Sequence, residues 1–561
     1  MQKRDGRSRN PPEKKGQAGK RQIAAWKFGI KWTGTEYNEV EMRKGEEAYM
    51  EYKLNREAIT VNEVVFDASQ EQPIDLDLSL PDYCPDIQKI MKCQVYPCIT
   101  AKSILGDCLE VSGTATMRLL YLDAGGTQIR CYENATQFSA TIPLKRSVGN
   151  ALVYTHTQVE YVNCRATSPR RLDIHGAFSI CAKVVEQVEN QVLCNIEGEN
   201  MEQQKKSISI SRVAGASQQQ FSVTEVLEIN DGKPPAENIL RTDAFAQVDE
   251  VKMLDNKLIV KGALSLKILY QSSLSESIPE CMEYSIPYSQ MLDCSGISDE
   301  CVCDVQLDVM SAGVQTKSDS SGENMLLDTE VRLIAYINAY LDTEVNLVTD
   351  AYSTEMEVSL EYQQKNLVKL LESVTDACSQ KNNFEFEESG VSKVVDVWNE
   401  MRQVTAQMEE GNLIYRGKFN LCVLAVNGDG TPFYFERVLE FQYGREWSRS
   451  MEDLRCDCTV SVANISYRIT GTSGIEVKTE LKLEATLYQQ NMYKMISDLI
   501  PNEDQPKSKD SEAALILYYA EAGEELWGIA RSYCTSMERI KTENDLVEDV
   551  VEQSGMLLIP V

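Results

Sequence analysis

Three copies of one strand-like pattern constrain the fold of this chain more than any other feature. The first copy, residues 109–121 (LEVSGTATMRLLY), recurs at 258–270 and again at 413–425. Their central glycines, Gly113, Gly262 and Gly417, are 149 and then 155 positions apart. A repeat of this length has the size of an ordinary domain, so the sequence predicts three domains of one kind.

Apolar and polar residues alternate within each copy, which indicates a long strand with one buried face. The shared glycine interrupts the apolar face and predicts a bulge or a close backbone contact. A turn-rich segment follows each copy, so we expect hairpins. A second strand pattern recurs at 178–184, 331–337 and 481–487. The predicted fold class is mainly β, with three repeated antiparallel, sandwich-like domains.

The repeat spacing also sets the predicted boundaries. The β repeats are expected at residues 50–200, 201–350 and 351–500, followed by a polar, proline-flanked linker at 501–512 and a small module at 513–561. Helical signals inside the repeats are few. The best candidate helix is Asn366–Cys378, where Leu367, Leu370, Leu371 and Val374 follow a helical spacing.

Residues 1–49 differ from the rest, with twelve Lys/Arg against seven Asp/Glu. Their start is a Pro/Gly/Lys/Arg mixture that cannot bury a core and is expected to be disordered. One interpretation is a basic tether for an acidic partner or an anionic membrane surface. The other, which we favour, is that translation starts at Met50, because Lys44-Gly45-Glu46-Glu47 could be encoded by a purine-rich ribosome-binding sequence.

Composition argues against several classes of protein. The formal charge is −30, which argues against nucleic-acid binding through a basic surface. No apolar run approaches the roughly 20 residues of a membrane span, and no secretory signal peptide is visible. We therefore interpret the 17 cysteines as reduced, mostly buried thiols of a cytosolic protein.

Catalytic and metal chemistry finds little support. His156 and His175 are the two histidines, each interpreted as a surface or satisfied strand residue. Cys301-Val-Cys303 and Cys456-Asp-Cys458 stand 155 positions apart and align with Leu152 and Tyr154, which favours buried structural thiols. Cys84, Cys93, Cys98 and Cys108 have uneven spacing and no histidine for a zinc site. Gly430 and Glu436 fit the end of a calcium loop, but Ala425 occupies its first ligand position, so we reject it. We expect no enzyme, no catalytic residues, no metal and no cofactor.

The C-terminal module predicts a strand, two helices and a second strand. Leu515, Leu517 and Tyr519 indicate the first strand, and residues 557–559 the second. Leu526, Ile529, Ala530 and Tyr533 form one apolar helical face. Thr535 or Ser536 caps the next helix, which carries Ile540 and ends near Asn544.

This module resembles a LysM domain, a family that mostly binds N-acetylglucosamine polymers. The resemblance implies partner-binding residues at Trp527, Ile529, Tyr533, Ile540 and Asn544, although most of these apolar residues are expected to form the core of so small a domain. Glu524-Glu525 and a longer acidic segment before Gly555 depart from the family. The net charge of residues 513–561 is −6, which favours a protein partner over the anionic bacterial wall.

Three β repeats, an opening Leu80-Pro81-(x)3-Pro85-Asp86-Ile87 and a terminal LysM together resemble the SPOCS-plus-LysM proteins of spore-forming Firmicutes. The resemblance implies a non-enzymatic adaptor of spore coat assembly in the cytoplasm of the mother cell, at the forespore surface. Its LysM would bind the ATPase that encases the forespore, and its repeats would form a scaffold that meets other coat proteins. The alternative is a peptidoglycan-binding protein acting through the LysM.

Overall fold

The computed structural model describes residues 52–560, except for 127, 231, 273–277, 387–389, 449–452, 472 and 508–514. Within these residues the chain forms twenty β-strands and two short α-helices. The predicted leader at 1–49 and residues 508–512 of the predicted linker lie outside the described residues.

Each repeat contains six strands in two three-stranded antiparallel sheets. Repeat 1 contains β1 (Lys53–Ser79), β2 (Ile87–Leu105), β3 (Cys108–Asp123), β4 (Ile129–Pro143), β5 (Ala151–Ser168) and β6 (Arg171–Glu197). Its sheets have the orders β2-β3-β4 and β1-β6-β5. Leu119 of β3 and Ile180 of β6 are both fully buried in the core of this repeat.

The other two repeats reproduce this topology. Repeat 2 contains β7 (Met201–Glu228), β8 (Ala236–Leu254), β9 (Lys257–Ser272), β10 (Glu280–Asp293), β11 (Val302–Lys317) and β12 (Leu326–Ser353). Repeat 3 contains β13 (Met356–Glu385), β14 (Lys393–Glu409), β15 (Asn412–Val426), β16 (Pro432–Glu446), β17 (Leu454–Thr470) and β18 (Gly474–Pro506). Their sheets have the orders β8-β9-β10, β7-β12-β11, β14-β15-β16 and β13-β18-β17. The mainly β class and the repeated antiparallel sheets are confirmed.

The repeated glycines occupy places where no larger residue fits. A Cβ on Gly113 would lie 2.2 Å from the carbonyl oxygen of Cys98, and one on Gly262 would lie 1.8 Å from that of Gln247. The predicted close backbone contact is therefore confirmed. The register shifts lie in the facing strands, between Ile99/Ala101, Val248/Glu250 and Met401/Gln403.

An aromatic ring covers each of these glycines from the other neighbouring strand. The register pairs are Gly113 with Phe138, Gly262 with Tyr288 and Gly417 with Phe441. A ring from the facing residue fills the volume that glycine leaves open, as in other sheets where an aromatic residue packs over a glycine. The same packing of three strands around a glycine is therefore present in all three repeats.

Equivalent residues of all three repeats meet in shared buried clusters. One cluster contains Leu120, Leu269 and Leu424, which are separated by 149 and 155 positions like the glycines. A second contains Val192, Val345 and Met495 from the long strands β6, β12 and β18. Because each cluster needs side chains from three repeats, the repeats pack around a common centre rather than as independent domains.

The helix predicted at Asn366–Cys378 is wrong, because these residues belong to β13 and pair with β18. Leu367 lies in the cluster shared by the three repeats, whereas Val374 lies in the core of repeat 3. A register shift between Leu370 and Glu372 changes which face of the strand is buried. The helical spacing therefore arises from a bulged strand that passes from one core to another.

The C-terminal tail, residues 515–560, forms a strand–helix–helix–strand unit. Its elements are β19 (Leu515–Ala520), α1 (Leu526–Ser532), α2 (Met537–Glu543) and β20 (Gly555–Pro560), with β19 antiparallel to β20. Upstream, β18 continues to Pro506, so the first residues assigned to the linker belong to a strand instead. The strand extends there because Pro501, Asn502 and Pro506 pair with the start of β13.

Candidate functional sites in the tail and the centre

Three of the predicted partner-binding residues hold the tail together. Ile529 and Ile540 are 3% and 0% exposed in its core. The Asn544 amide donates to the carbonyl oxygens of Ile540 (2.8 Å) and Leu558 (2.7 Å), and its oxygen accepts from the Leu558 amide. Asn544 therefore joins the end of α2 to β20. At the other end of α2, Ser536 accepts from the Arg539 amide, which confirms the predicted cap.

Trp527 packs against repeat 2. Its ring meets Tyr352 edge-on, with 4.9 Å between centroids, and its indole nitrogen donates to Asp350 Oδ2 at 2.9 Å. Arg531 binds the same carboxylate oxygen at 2.7 Å. The Tyr352 hydroxyl donates to the Thr535 carbonyl oxygen at 2.7 Å, and burial raises the pKa of this tyrosine. We name these contacts of Trp527, Arg531 and Thr535 with Asp350 and Tyr352 the docking contact. Trp527 is only 8% exposed there.

Tyr533 contacts the strand side of the tail. Its ring lies 5.7 Å from that of Tyr518, whose hydroxyl donates to Glu524. Glu524 also accepts from the Glu521 amide at 3.1 Å, so this departure from the LysM pattern supports the turn before α1. Glu525 is the N-cap residue of α1 but makes no side-chain capping bond.

These contacts give all five predicted residues a structural role, and their role in partner binding stays a prediction. A different tail surface is exposed: Leu515, Leu517, Tyr519 and Met556 are 45%, 65%, 61% and 57% exposed. The sequence contained a signal for it, because LILYYA and GMLLIP are apolar without alternation. We name the outward residues of both strands, Leu515, Leu517, Tyr519, Met556, Leu558 and Pro560, the outer tail face.

A cavity of about 1410 Å³ lies at the centre of the three repeats, all of which contribute to its walls. Ion pairs cross it between repeats, including Lys92 with Glu436 at 2.6 Å and Lys183 with Asp457 at 2.9 Å. Burial, reinforced by the charge of Asp457, raises the pKa of Asp304 to about 6. These ion pairs hold the repeats together. Sequence reasoning missed them because the partners are far apart in the chain.

The most deeply buried ion pair lies beside this cavity. Arg241 is 1% exposed, its Nη2 lies 2.7 Å from Asp396 Oδ2, and its guanidinium stacks 3.8 Å from the Trp398 ring centroid. Lys267 lies 3.0 Å from the other oxygen of Asp396. Burial alone would lower the pKa of Lys267, but the carboxylates of Asp396 and Glu283 outweigh it and raise the pKa.

The two Cys-x-Cys pairs are buried or partly buried and free, as expected of structural thiols. Their predicted equivalence is wrong. Cys456 and Cys458 pair with Leu487 and Ala485, whereas Cys303 pairs with Ala339, further along its strand. Val305 is the residue of repeat 2 that occupies the place of Cys456, because the chain between the central and the fifth strand is four residues shorter in repeat 3 than in repeat 2. Burial raises the pKa of both Cys303 and Cys456 to about 12.

The four cysteines of repeat 1 that are near one another in sequence have different neighbours. Cys98 donates to the Met310 carbonyl oxygen of repeat 2 at 2.9 Å. Cys93 forms a thiol hydrogen bond with Cys164, which raises the pKa of Cys93 and lowers that of Cys164. Cys84 is buried in the core of repeat 1, and Cys108 contacts Asp107. This arrangement does not form a four-thiol site.

The remaining polar candidates are also accounted for by structure. His175 Nδ1 lies 3.2 Å from Asp75 and Nε2 lies 3.0 Å from Asp173. These three side chains form a largely exposed group of a kind that is common on protein surfaces without a metal ion. His156 lies on β5 at the cavity wall. Glu436, the last residue of the rejected calcium loop, instead binds Lys92 of repeat 1. Neither helix among the described residues is long and apolar enough to cross a membrane.

Two segments of the chain, residues 86–167 and 235–316, match the family model described as SipL, SPOCS domain. They cover nearly all of strands β2 to β5 of repeat 1 and of the corresponding strands β8 to β11 of repeat 2. No curated protein and no solved structure matches the chain. The family match therefore includes the three strands in which an aromatic ring covers the repeated glycine. Two of the three repeats are thus similar to the SPOCS domain of SipL, and this resemblance suggests a role in sporulation.

Proposed function

We propose that this chain is a non-enzymatic adaptor of spore-envelope morphogenesis. Its tail binds the ATPase that encases the forespore, and its β repeats form the assembly scaffold, in the cytoplasm of the mother cell at the forespore surface. The observation that carries the proposal is the SPOCS match in two repeats of a body that ends in a strand–helix–helix–strand tail. The ATPase as partner comes from the resemblance to SPOCS-plus-LysM proteins.

The packing of the repeats supports a scaffold role. Clusters that need residues from all three repeats, and ion pairs such as Arg241 with Asp396, fix the repeats relative to one another. A body of this kind holds its surfaces at set distances, so contacts on one body reinforce each other when the partner is a polymer.

Charge and burial support a protein partner for the tail. The tail carries nine Asp/Glu against three Lys/Arg, and repulsion slows its encounter with the anionic bacterial wall. Trp527 is occupied by Tyr352 and Asp350, so its ring face is not open to stack on a sugar. Both observations favour the adaptor over the peptidoglycan-binding alternative.

The test uses the full chain, a chain ending at residue 506 and the purified coat ATPase of the same organism. The shorter chain retains all eighteen strands of the repeats and lacks the tail. We expect the full chain to bind the ATPase in biolayer interferometry, the shorter chain to lose most of that binding, and neither to sediment with purified peptidoglycan. Sedimentation of the full chain with peptidoglycan, without ATPase binding, would overturn the proposal.

A further inference from the structure

The sheet of the tail, formed by β19 and β20, is apolar on both of its faces. Ile516, Tyr518 and Ala520 point inward from β19 and contact the tail core. The residues between them, Leu517 and Tyr519, point to solvent and are more than half exposed. An antiparallel sheet with one solvated face normally places polar residues there. A sheet that is apolar on both faces indicates that the second face is also covered.

The apolar residues of the outer face are contiguous. In register, Leu515 pairs with Pro560, Leu517 with Leu558 and Tyr519 with Met556. Cross-strand partners lie about 5 Å apart, so these three pairs form one patch rather than scattered residues. Within the described residues no other element covers this patch, since Leu517 and Tyr519 are 65% and 61% exposed in the folded chain. A patch of this kind marks an interaction surface more often than an incidental one.

The docking contact explains why this face, rather than the helical one, is available. Trp527 and Arg531 are held on Asp350, and Tyr352 occupies the space beside the indole ring. A partner that used the Trp527 face would first have to separate the tail from repeat 2. A partner that used the outer tail face would meet exposed side chains without breaking any contact.

Charge indicates the chemistry of the partner. Glu521 directly follows β19 and Glu552 precedes β20, so both lie beside the Tyr519–Met556 end of the sheet, and both are exposed. The tail as a whole is acidic as well, with a net charge of −6 over residues 513–561. An apolar patch bordered by carboxylates is complementary to an apolar surface bordered by Lys and Arg.

We propose that the outer tail face is the surface with which the tail binds its protein partner, and that this partner offers an apolar surface with a basic border. The inference rests on the proposed function, because it specifies where the adaptor's partner binds. Tyr519, Leu517 and Met556 supply the apolar centre of the contact, and Glu521 and Glu552 its charged edge. The docking contact with repeat 2 remains intact in the complex.

The experiment measures binding of the purified coat ATPase to the full chain and to Leu517→Ser and Tyr519→Ser. Val438→Ser is the matched control, because Val438 is an apolar strand residue that is 55% exposed on repeat 3. We expect each tail variant to bind at least tenfold more weakly and the control to bind like the wild type. Thermal unfolding should be unchanged in all three, since each side chain is exposed. Higher ionic strength should weaken wild-type binding.

A fourth variant separates the two faces of the tail. Asp350→Ala removes the acceptor of Trp527 and Arg531 without touching the outer tail face. We expect it to bind the ATPase like the wild type. Unchanged binding of both serine variants, with altered binding of Asp350→Ala, would overturn the inference and assign the partner to the Trp527 face. Self-association of the full chain that the serine variants abolish, with ATPase binding intact, would assign the face to a second copy instead. A wild-type chain that does not bind the ATPase would overturn the proposed function and this inference with it.

Discussion

Replacement of Arg241 by methionine should destabilise the three-repeat body, because it breaks a buried ion pair between two repeats. Arg241 comes from β8 of repeat 2, and its partner Asp396 comes from β14 of repeat 3. The Asp396 side chain is fully buried, with 0% exposure, and that of Arg241 is 1% exposed. Methionine retains much of the apolar stem but leaves Asp396 without its nearest cation.

The expected magnitude follows from what remains around Asp396. Removing one partner of a buried ion pair typically costs about 3–5 kcal/mol, because the other charge stays buried without compensation. Lys267 still lies 3.0 Å from Asp396, so we expect a loss in the free energy of unfolding at the lower end, about 3 kcal/mol. The double variant Arg241→Met, Asp396→Asn should lose less than the sum of the two single variants, because the pair is coupled.

Urea denaturation, followed by tryptophan fluorescence and by circular dichroism, measures this loss. Trp398 stacks on Arg241, so its emission reports on the centre directly. The control is Arg332→Met, which removes an exposed ion pair with Glu330 on β12 and should cost less than about 1 kcal/mol. If Arg241→Met cost no more than this control, the reasoning that the buried centre holds the repeats together would be refuted.

Other variants test the strand packing, the cavity and the docking contact. Gly262→Ala places a Cβ 1.8 Å from a backbone oxygen and should destabilise by about 3 kcal/mol in urea denaturation, whereas Gly528→Ala on α1, with no atom within 4 Å, should be neutral or slightly stabilising. Burial raises the pKa of Asp304 to about 6, so the folded protein loses stability as the pH rises from about 4 to about 6 and this carboxyl ionises. The loss is complete above pH 6 and reaches about 3 kcal/mol. Asp304→Asn should therefore be more stable than the wild type at pH 7.5 but not at pH 4; a gain at pH 4 alone would contradict this. Asp350→Ala should increase hydrogen exchange in α1 while the repeats stay protected, and equal protection of α1 would show that the docking contact adds no stability.

The sequence predicted the features that depend on neighbours along the chain. The alternation in 109–121 and its copies gave the central strands, and the glycine spacing gave the close contacts. In the tail, local signals such as Ser536 and Asn544 placed the ends of α2 correctly. These signals act within a few residues, so periodicity and capping rules are sufficient to read them.

Features that depend on contacts between repeats could not be predicted in the same way. Leu367 and Val374 had a helical spacing because the strand changes from one core to another at a bulge. The two Cys-x-Cys pairs share the spacing of the central strands by coincidence, because four fewer residues connect the central strand to the fifth strand in repeat 3 than in repeat 2. The burial of Trp527 in the tail depends on Tyr352 of repeat 2, which lies 175 positions earlier in the chain.

The central ion pairs show what the fusion of three repeats in one chain permits. Lys92, Arg241 and Asp396 occupy the same position of the repeat, since each faces the equivalent leucine of the central strand, Leu120, Leu269 or Leu424. In a symmetric trimer one residue type would fill all three positions, and three like charges near a buried centre would repel each other. In a single chain the positions can differ, so that Arg241 meets Asp396 while Lys92 binds Glu400 and Glu436. The charges at the centre therefore favour one arrangement of the repeats. Exchanging Arg241 and Asp396 should preserve the pair but place a carboxylate at 241 beside Asp243 and a guanidinium at 396 beside Lys267, so it should not restore full stability.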